Sequence, residues 1–316
     1  MTDKKAAVID LGTNTFHLLM VELFDNGFEI IYKEKVAVKL GKGGINQNTI
    51  TSSALTRAFH TVGHFKSLID GENIDQIHVF ATSAVRNAEN GNDFVKEIYN
   101  RFGLKVNVID GEHEAQLIYE GIKFSGSLNE QTALMMDIGG GSVEFIIGNE
   151  KEVLWKKSFE IGGQRLLDLC PYHDPILPSE VAQLEGFLDK QLTSLVKAIK
   201  KFKPVYLIGA SGTFDTLTDI YYASCEKKKR KGKRNFILPS SAFVEIADQL
   251  LSLDKSQRLN IPGMIPMRVE MIVVAVCLIE NILRHFDTKE MICSTYALKE
   301  GVIAQLLQSR EALFIE

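Results

Sequence analysis

Two acidic residues flank a run of three glycines near the middle of the chain. The segment from Met135 to Phe145 reads MMDIGGGSVEF, with Asp137 before the glycines and Glu144 after them. If GGGS is a four-residue hairpin loop, antiparallel pairing places Asp137 directly opposite Glu144 on one face of the sheet. Two like charges so close repel each other, so the pair is either a surface accident or a site that expects a cation. The apolar runs on both sides predict buried strands, which favours the cation site.

A related segment lies about 127 residues earlier in the chain. VIDLGTNTFHLLMV aligns with the first segment, and Asp10 corresponds to Asp137. Counting across the loop GTNT pairs Asp10 with His17 and Leu11 with Phe16. Strand, tight polar turn and strand therefore occur twice, which indicates an internal repeat.

Small residues follow predicted strands at several places, and this pattern is typical of phosphate-binding loops. Glycine and small hydroxyl residues let successive backbone N–H groups point into one concavity that binds anions. In LIGASGT the turn also begins a helix, whose free N–H groups attract phosphate. The candidate phosphate-binding residues are Gly12, Thr13, Asn14, Thr15, Gly139, Gly140, Gly141, Ser142, Ser211, Gly212 and Thr213.

Strands and helices alternate along the remainder of the chain. The apolar spacing predicts helices over residues 53–69, 112–124 and 268–286, and one long amphipathic helix over residues 178–201. Strands are expected at QIHVFA, LKVNVI, PVYLIG and EMICS. The sequence thus predicts a mixed α/β chain of two similar halves, with a break in the linker-like stretch SGSLNEQ at residues 125–131.

Composition excludes several classes of protein. The net charge of −4 argues against a general nucleic-acid binder. No apolar run is long enough to span a membrane, and the N-terminus lacks the layout of a signal peptide, so we expect a cytoplasmic protein. The four cysteines form no CxxC pair, which predicts free thiols. No GxxxxGK[ST] motif is present, so a P-loop NTPase is not expected.

One segment is strongly basic. KKKRKGKR, at residues 227–234, has seven basic residues in eight positions, while the rest of the chain has a net charge of −11. The run is either a solvated surface loop or a funnel that steers a long polyanion, and the sequence leaves both open.

Several motifs in this order resemble one family. Asp-[LI]-Gly-[TG]-x-[ST] in two copies is similar to the phosphate loops of the actin-like ATPase (ASKHA) superfamily. Within it, the chain resembles the exopolyphosphatase/guanosine-pentaphosphate phosphohydrolase (Ppx/GppA) family through AVIDLGTNTFHLL, ATSAVRNAEN, VIDGEHEAQLIYEG, MDIGGGSVEF, LIGASGT, GMIPMRVEMI and YALKEGVI. It looks like the short form, without the C-terminal helical (HD-type) extension.

The resemblance implies a fold and its division into domains. We expect two actin-like (ribonuclease H-like) lobes with a cleft between them. The first lobe would comprise residues 1–125, joined by the C-terminal helix at about 300–316. The second would comprise residues 126–299. The family resemblance also allows a homodimer.

The resemblance implies roles for individual residues. The family's catalytic carboxylate falls on Glu114, and its phosphate-contacting arginine falls on Arg86. Asp137 and Glu144 match the metal-associated carboxylates, and Asp10 matches the acidic residue of the first loop. The implied metal is Mg²⁺, with Mn²⁺ as the alternative. Because Glu114 would lie in the first turn of its helix, we expect the helix dipole to keep it ionised as a base.

The resemblance implies an exopolyphosphatase, which removes terminal orthophosphate from inorganic polyphosphate by attack of water. The first alternative is hydrolysis of guanosine pentaphosphate with the same machinery. An ATP-dependent kinase is disfavoured because no adenosine pocket can be recognised. A phosphate or nucleotide sensor without catalysis would bind its ligand with negligible turnover.

Overall fold

The computed structural model describes residues 4–25, 27–230 and 232–312, and the side chains up to residue 309. Two mixed β-sheets form its framework, as the alternating pattern predicted. The first sheet has the strand order β3-β2-β1-β4-β5. Its strands are β1 (Lys4–Leu11), β2 (Phe16–Phe24), β3 (Gly27–Val36), β4 (Gln76–Ala81) and β5 (Val106–Val108).

The second sheet repeats the topology of the first and adds one strand. Its order is β10-β11-β9-β6-β7-β8. Its strands are β6 (Ala133–Ile138), β7 (Val143–Gly148), β8 (Val153–Phe159), β9 (Tyr206–Ala210), β10 (Asn235–Pro239) and β11 (Glu290–Ser294). In both sheets three antiparallel strands continue into two parallel ones, and β10 adds an antiparallel edge. The internal repeat predicted from the two glycine segments is confirmed.

Both hairpins have the predicted register. Asp10 pairs with His17 across the first hairpin. Asp137 pairs with Glu144 across the second. The loops GTNT and GGGS therefore lie at corresponding ends of the two sheets, each next to an acidic residue.

Helices cover both faces of the sheets. They are α1 (Ser52–Asp70), α2 (Ser83–Arg86), α3 (Gly91–Phe102), α4 (Gly111–Phe124), α5 (Gly163–Leu169), α6 (Pro178–Gln191), α7 (Thr193–Phe202), α8 (Ser211–Ser224), α9 (Ser240–Ser252), α10 (Lys255–Arg258), α11 (Met271–Leu283) and α12 (Leu298–Ala312). A short 3-10 turn occupies Ile45–Gln47. As expected, α11 is buried on nearly every side, and the cysteines are free thiols.

The prediction of one helix over residues 178–201 was wrong. The segment forms α6 and α7, which meet at the buried Leu192. The hydroxyl of Thr193 donates to the carbonyl oxygens of Asp189 and Lys190. The break lies at Leu192 itself, whose φ of −90° and ψ of 8° depart from the helical conformation.

Two helices lie between the sheets and join them. One face of each sheet packs on α4 and α12 in a central core that includes Val8, Ile118, Met135 and Ile303. The helices approach so closely that a Cβ on Gly301 would overlap the carbonyl of Leu117. The starts of both helices are thereby fixed at the end of the sheets where the two hairpin loops lie.

The division into lobes at residues 125 and 126 remains our proposal. The two sheets fall on either side of that boundary, and α12 packs against α4 and β1. Residues 313–316 of the proposed C-terminal helix lie outside the described part of the chain.

Candidate active site

A cavity of about 440 Å³ lies between the two hairpin loops. Its walls include the loops GTNT and GGGS, the start of α8 and the start of α12. The predicted residues that line it are Asp10, Gly12, Thr13, Asn14, Thr15, Glu114, Asp137, Gly139, Gly140, Gly141, Ser142, Glu144, Ser211 and Gly212. Residues that are far apart in the sequence therefore meet in one space.

The acidic floor of the cavity is strongly buried. Glu114, Asp137 and Glu144 are 7%, 6% and 1% exposed. Ser211 Oγ donates to Asp137 Oδ2 at 2.7 Å, and Ser158 Oγ donates to Glu144 Oε1 at 2.7 Å. These hydroxyls hold the carboxylates in place without adding positive charge.

Burial dominates the titration of these groups. It raises the pKa of Asp10 to about 6, with a further contribution from the charge of Asp137. Burial also raises the pKa of Glu144, again helped by Asp137. Without a cation in the site, the floor therefore retains protons near neutral pH.

Glu114 lies in the first turn of α4, as predicted. The side chain of Asp110 caps this helix by accepting from the N–H of His113 at 2.7 Å. However, burial and the nearby charge of Glu144 raise the pKa of Glu114 well above its usual value, although Arg86 opposes them. This direction is opposite to the one expected from the helix dipole, because burial and the charge of Glu144 both disfavour the ionised carboxylate.

Arg86 contacts Glu114 but is not among the residues that line the cavity. Its Nη1 donates to Glu114 Oε2 at 3.0 Å and to the carbonyl of Ile109 at 3.0 Å. Its Nη2 donates to Glu160 Oε1 at 3.2 Å. The guanidinium of Arg86 therefore binds two carboxylates, those of Glu114 and Glu160, and Glu114 is the candidate base.

The two glycine-rich loops touch each other across the cleft. A Cβ on Gly141 would lie 2.5 Å from Ser83 Oγ and 2.6 Å from Thr13 Oγ1, and a Cβ on Gly140 would lie 2.9 Å from Asn14 Cγ. The bare backbone at these positions therefore allows the loops to meet. This is an additional reason for glycine, beside access of phosphate to the peptide groups.

The third loop forms the start of α8. Ser211 is the first helical residue and has φ of +68°, an unusual conformation for a residue other than glycine. Next to it, a Cβ on Gly212 would collide with the guanidinium of Arg268. Thr213 is buried and does not line the cavity.

Three basic side chains of the cavity were not predicted. Arg268 is 8% exposed, and its Nε has no hydrogen-bond partner among the described residues. Lys299 follows the start of α12, and Lys35 comes from β3. Burial and the charge of Arg268 lower the pKa of Lys35 to about 8. The only sequence signals for these residues were the motifs GMIPMRVEMI and YALKEGVI, which contain Arg268 and Lys299.

The acidic floor fits a divalent cation. Hard cations such as Mg²⁺ commonly use one or two protein carboxylates and complete their shell with water and substrate phosphate. Asp137 and Glu144 provide such a pair, with Asp10 nearby. Among the described residues, no three His, Cys, Asp or Glu side chains are arranged to hold a metal by themselves. The donor set therefore suits a metal that is shared with a substrate.

Part of the basic run is fixed in the structure. Lys229 pairs with Asp219 at 2.7 Å. The guanidinium of Arg234 lies over the rings of Phe124 and Tyr296, at 5.4 and 5.3 Å. Tyr296 lines the cavity, so this end of the run is close to the cavity wall. Other basic residues of the run are exposed, namely Lys227, Lys228, Arg230 and Lys233, and Lys231 lies outside the described residues.

Comparisons with known proteins agree with this architecture. The family model described as the Ppx/GppA phosphatase family matches residues 20–310. A solved exopolyphosphatase from Cytophaga hutchinsonii is 41% identical, with a TM-score of 0.94 over 97% of this chain and 98% of that one. Exopolyphosphatase 1 of Mycobacterium leprae is 26% identical over 96% of this chain and 90% of its own length. A Ppx/GppA family member from Aquifex aeolicus has the same fold, with 23% identity, a TM-score of 0.81 and coverage of 98% and 99%.

The paired sheets and the cavity between their hairpin loops define a two-lobed actin-like fold. The chain belongs to the Ppx/GppA phosphatase family. Exopolyphosphatases of this family generally depend on a divalent metal ion. In the described part of the chain, no helix has both the length and the apolarity needed to cross a bilayer.

Proposed function

We propose that this protein is an exopolyphosphatase that releases orthophosphate from the end of inorganic polyphosphate. The observation that carries the proposal is the cavity itself, where Glu114, Asp137 and Glu144 face both glycine loops. Two relatives over almost the whole chain, from Cytophaga hutchinsonii and Mycobacterium leprae, are named exopolyphosphatases. The cavity lining also includes Arg268 and Lys299, whose charges suit a chain of phosphates.

Each group has a part in the hydrolysis. Backbone amides of the two glycine loops and of the start of α8 would bind the phosphate oxygens. Glu114 would orient the attacking water and accept its proton. Arg86 would hold the carboxylate of Glu114 in the required direction. For Arg86 to clamp a phosphoryl group as well, it would have to release one of its two carboxylate partners.

A divalent cation, which we propose to be Mg²⁺ with Mn²⁺ as the alternative, would be held by Asp137 and Glu144, with Asp10 nearby. When bound, it would neutralise negative charge on the phosphoanhydride and on the floor of the cavity. A bound cation would offset the charge of Glu144, which is one cause of the raised pKa of Glu114, whereas burial, the larger cause, would remain. We also propose a cytoplasmic location, where polyphosphate and Mg²⁺ would both be available, and keep the homodimer as a prediction.

A phosphate-release panel tests the proposal. Purified protein with Mg²⁺ is given tripolyphosphate, long-chain polyphosphate, guanosine pentaphosphate and ATP, with a sample in EDTA as control. We expect metal-dependent release of orthophosphate from polyphosphate without any acceptor alcohol, which distinguishes a hydrolase from a kinase. Higher kcat/KM for guanosine pentaphosphate would replace the proposed substrate, and tight polyphosphate binding with no release would indicate a sensor.

A further inference from the structure

Glu160 lies outside the cavity but is the second carboxylate partner of Arg86. It belongs to the connection between β8 and α5, where 42% of its side chain is exposed. Its Oε1 accepts from Arg86 Nη2 at 3.2 Å. Its Oε2 accepts from Ser83 Oγ at 2.6 Å and from Arg165 Nη2 at 2.9 Å.

The charge of Glu160 is maintained by these partners. Burial alone would raise the pKa of this carboxyl group, but hydrogen bonds from Ser83 and Asn87 and the charge of Arg86 lower it below its ordinary value. Glu160 is therefore an ionised group between two arginines, one on each side.

Arg165 anchors Glu160 to both sides of the cleft. This arginine is 9% exposed. Its Nε donates to the carbonyl of Gly141 at 3.2 Å, and its Nη1 donates to the carbonyl of Ile45 at 3.2 Å. Gly141 belongs to the second glycine loop, whereas Ile45 follows the first sheet's hairpins.

The backbone beside Glu160 is fixed to the same loop. The N–H groups of Gly162, Gly163 and Gln164 donate to the carbonyls of Gly141, Gly139 and Gly140, respectively. A movement of Glu160 relative to the glycine loop would break these bonds. The carboxylate therefore has a defined position relative to the cavity although it does not line it.

The guanidinium of Arg86 contacts both carboxylates and so links the position of Glu160 to that of Glu114. A contact on only one nitrogen leaves the guanidinium plane free to rotate. Contacts on two different nitrogens fix both the plane and the direction in which the group points. Glu160 holds Nη2 of Arg86, and Nη1 then points at Glu114 Oε2. Without Glu160, Arg86 would keep Glu114 and the carbonyl of Ile109, both bound to Nη1, and its guanidinium plane would lose the restraint on Nη2.

We propose that Glu160 is a positioning residue, which fixes Arg86 so that Arg86 holds the carboxylate of Glu114 against the cavity. This inference rests on the proposed function, because it assigns Glu114 to the hydrolysis of polyphosphate. Arg165 and Ser83 act as the supports that keep Glu160 in place.

A double-mutant cycle on polyphosphate hydrolysis tests the proposal. The variant E160Q keeps the size of the side chain and removes its charge. We expect kcat to fall roughly 10-fold, as is typical when a residue that orients a reacting group is lost, while KM changes less than about two-fold. In an R86Q background, E160Q should cause no further loss beyond about two-fold, since Arg86 is the only route of its effect.

The controls separate positioning from general structure. Glu130, in an exposed ion pair with Lys151, provides the matched variant E130Q, which should leave kcat unchanged. If E160Q does not fold, S83A removes the hydroxyl at 2.6 Å from Glu160 and should lower kcat in the same direction by a smaller factor. Fully multiplicative losses for E160Q and R86Q, or an unchanged kcat for folded E160Q, would overturn the inference while wild-type activity is retained. An inactive wild-type protein would overturn the proposed function and, with it, this inference.

Discussion

Replacing Gly141 by alanine should separate the two glycine-rich loops. A Cβ at this position would lie 2.5 Å from Ser83 Oγ and 2.6 Å from Thr13 Oγ1, whereas ordinary contact begins at 3.4 Å. Both neighbours are buried and cannot turn away into solvent. The loop GGGS must therefore move by about 0.8 Å from Thr13 of the loop GTNT and by about 0.9 Å from Ser83 of α2. A misplacement of about 1 Å in an active site costs on the order of 100-fold in rate, so we expect a loss of kcat of that size for G141A.

The assay is orthophosphate release from polyphosphate, together with the melting temperature of each variant. Overpacking should destabilise G141A by about 1–3 kcal/mol. Gly186 offers a matched control, since it is exposed on α6 and a Cβ there meets no atom within 4 Å. G186A should keep full activity and gain up to about 1 kcal/mol of stability from helix propensity. If G141A retained more than half of the wild-type kcat, the loops would not need their close contact and the reasoning would fail.

Three further outcomes are expected. E114Q should lose most phosphatase activity with KM nearly unchanged. Glu112 is exposed in the same turn of α4, so the control variant E112Q should stay active. If steady-state kinetics gave equal kcat for both variants, Glu114 would not be the base. Mg²⁺ needs ionised ligands, and the pKa of Asp10 is raised to about 6, so Mg²⁺ should bind more tightly as the pH rises from 5 to 8 and should release protons on binding. Calorimetry in two buffers of different ionisation enthalpy should show that proton release. Its absence would contradict the buried acidic floor. Replacing Lys227 and Lys228 by alanine should raise KM for long polyphosphate more than for tripolyphosphate, whereas equal changes would indicate a plain surface loop.

Local rules were sufficient for the hairpins. A four-residue loop and period-two alternation fix which residues face each other, so the pairing of Asp137 with Glu144 followed by counting. The same rules placed Glu114 in the first turn of its helix because Asp110 is a strong N-cap residue.

Long-range geometry accounts for what the sequence did not predict. Glu160 lies on the connection between β8 and α5 and Arg165 lies on α5, in a segment without any motif, and their partners are 74 and 120 residues away in the chain. Burial also depends on the complete fold, which is why the raised pKa of Glu114 was missed. The break at Leu192 lies within a continuous helical apolar pattern, so nothing in the sequence signals it.

The crossing of α4 and α12 has a mechanical consequence. At Gly121 and Gly301 the backbones of the two helices are in contact, with no side chain between them. Because their backbones are in contact, α4 and α12 should move together if the cleft opens, so that Glu114 and Lys299, in the first turns of these helices, keep their spacing. Since α4 and most of α12 belong to the proposed first lobe, such an opening would change the distance from these two side chains to the loop GGGS and leave their distance to the loop GTNT unchanged.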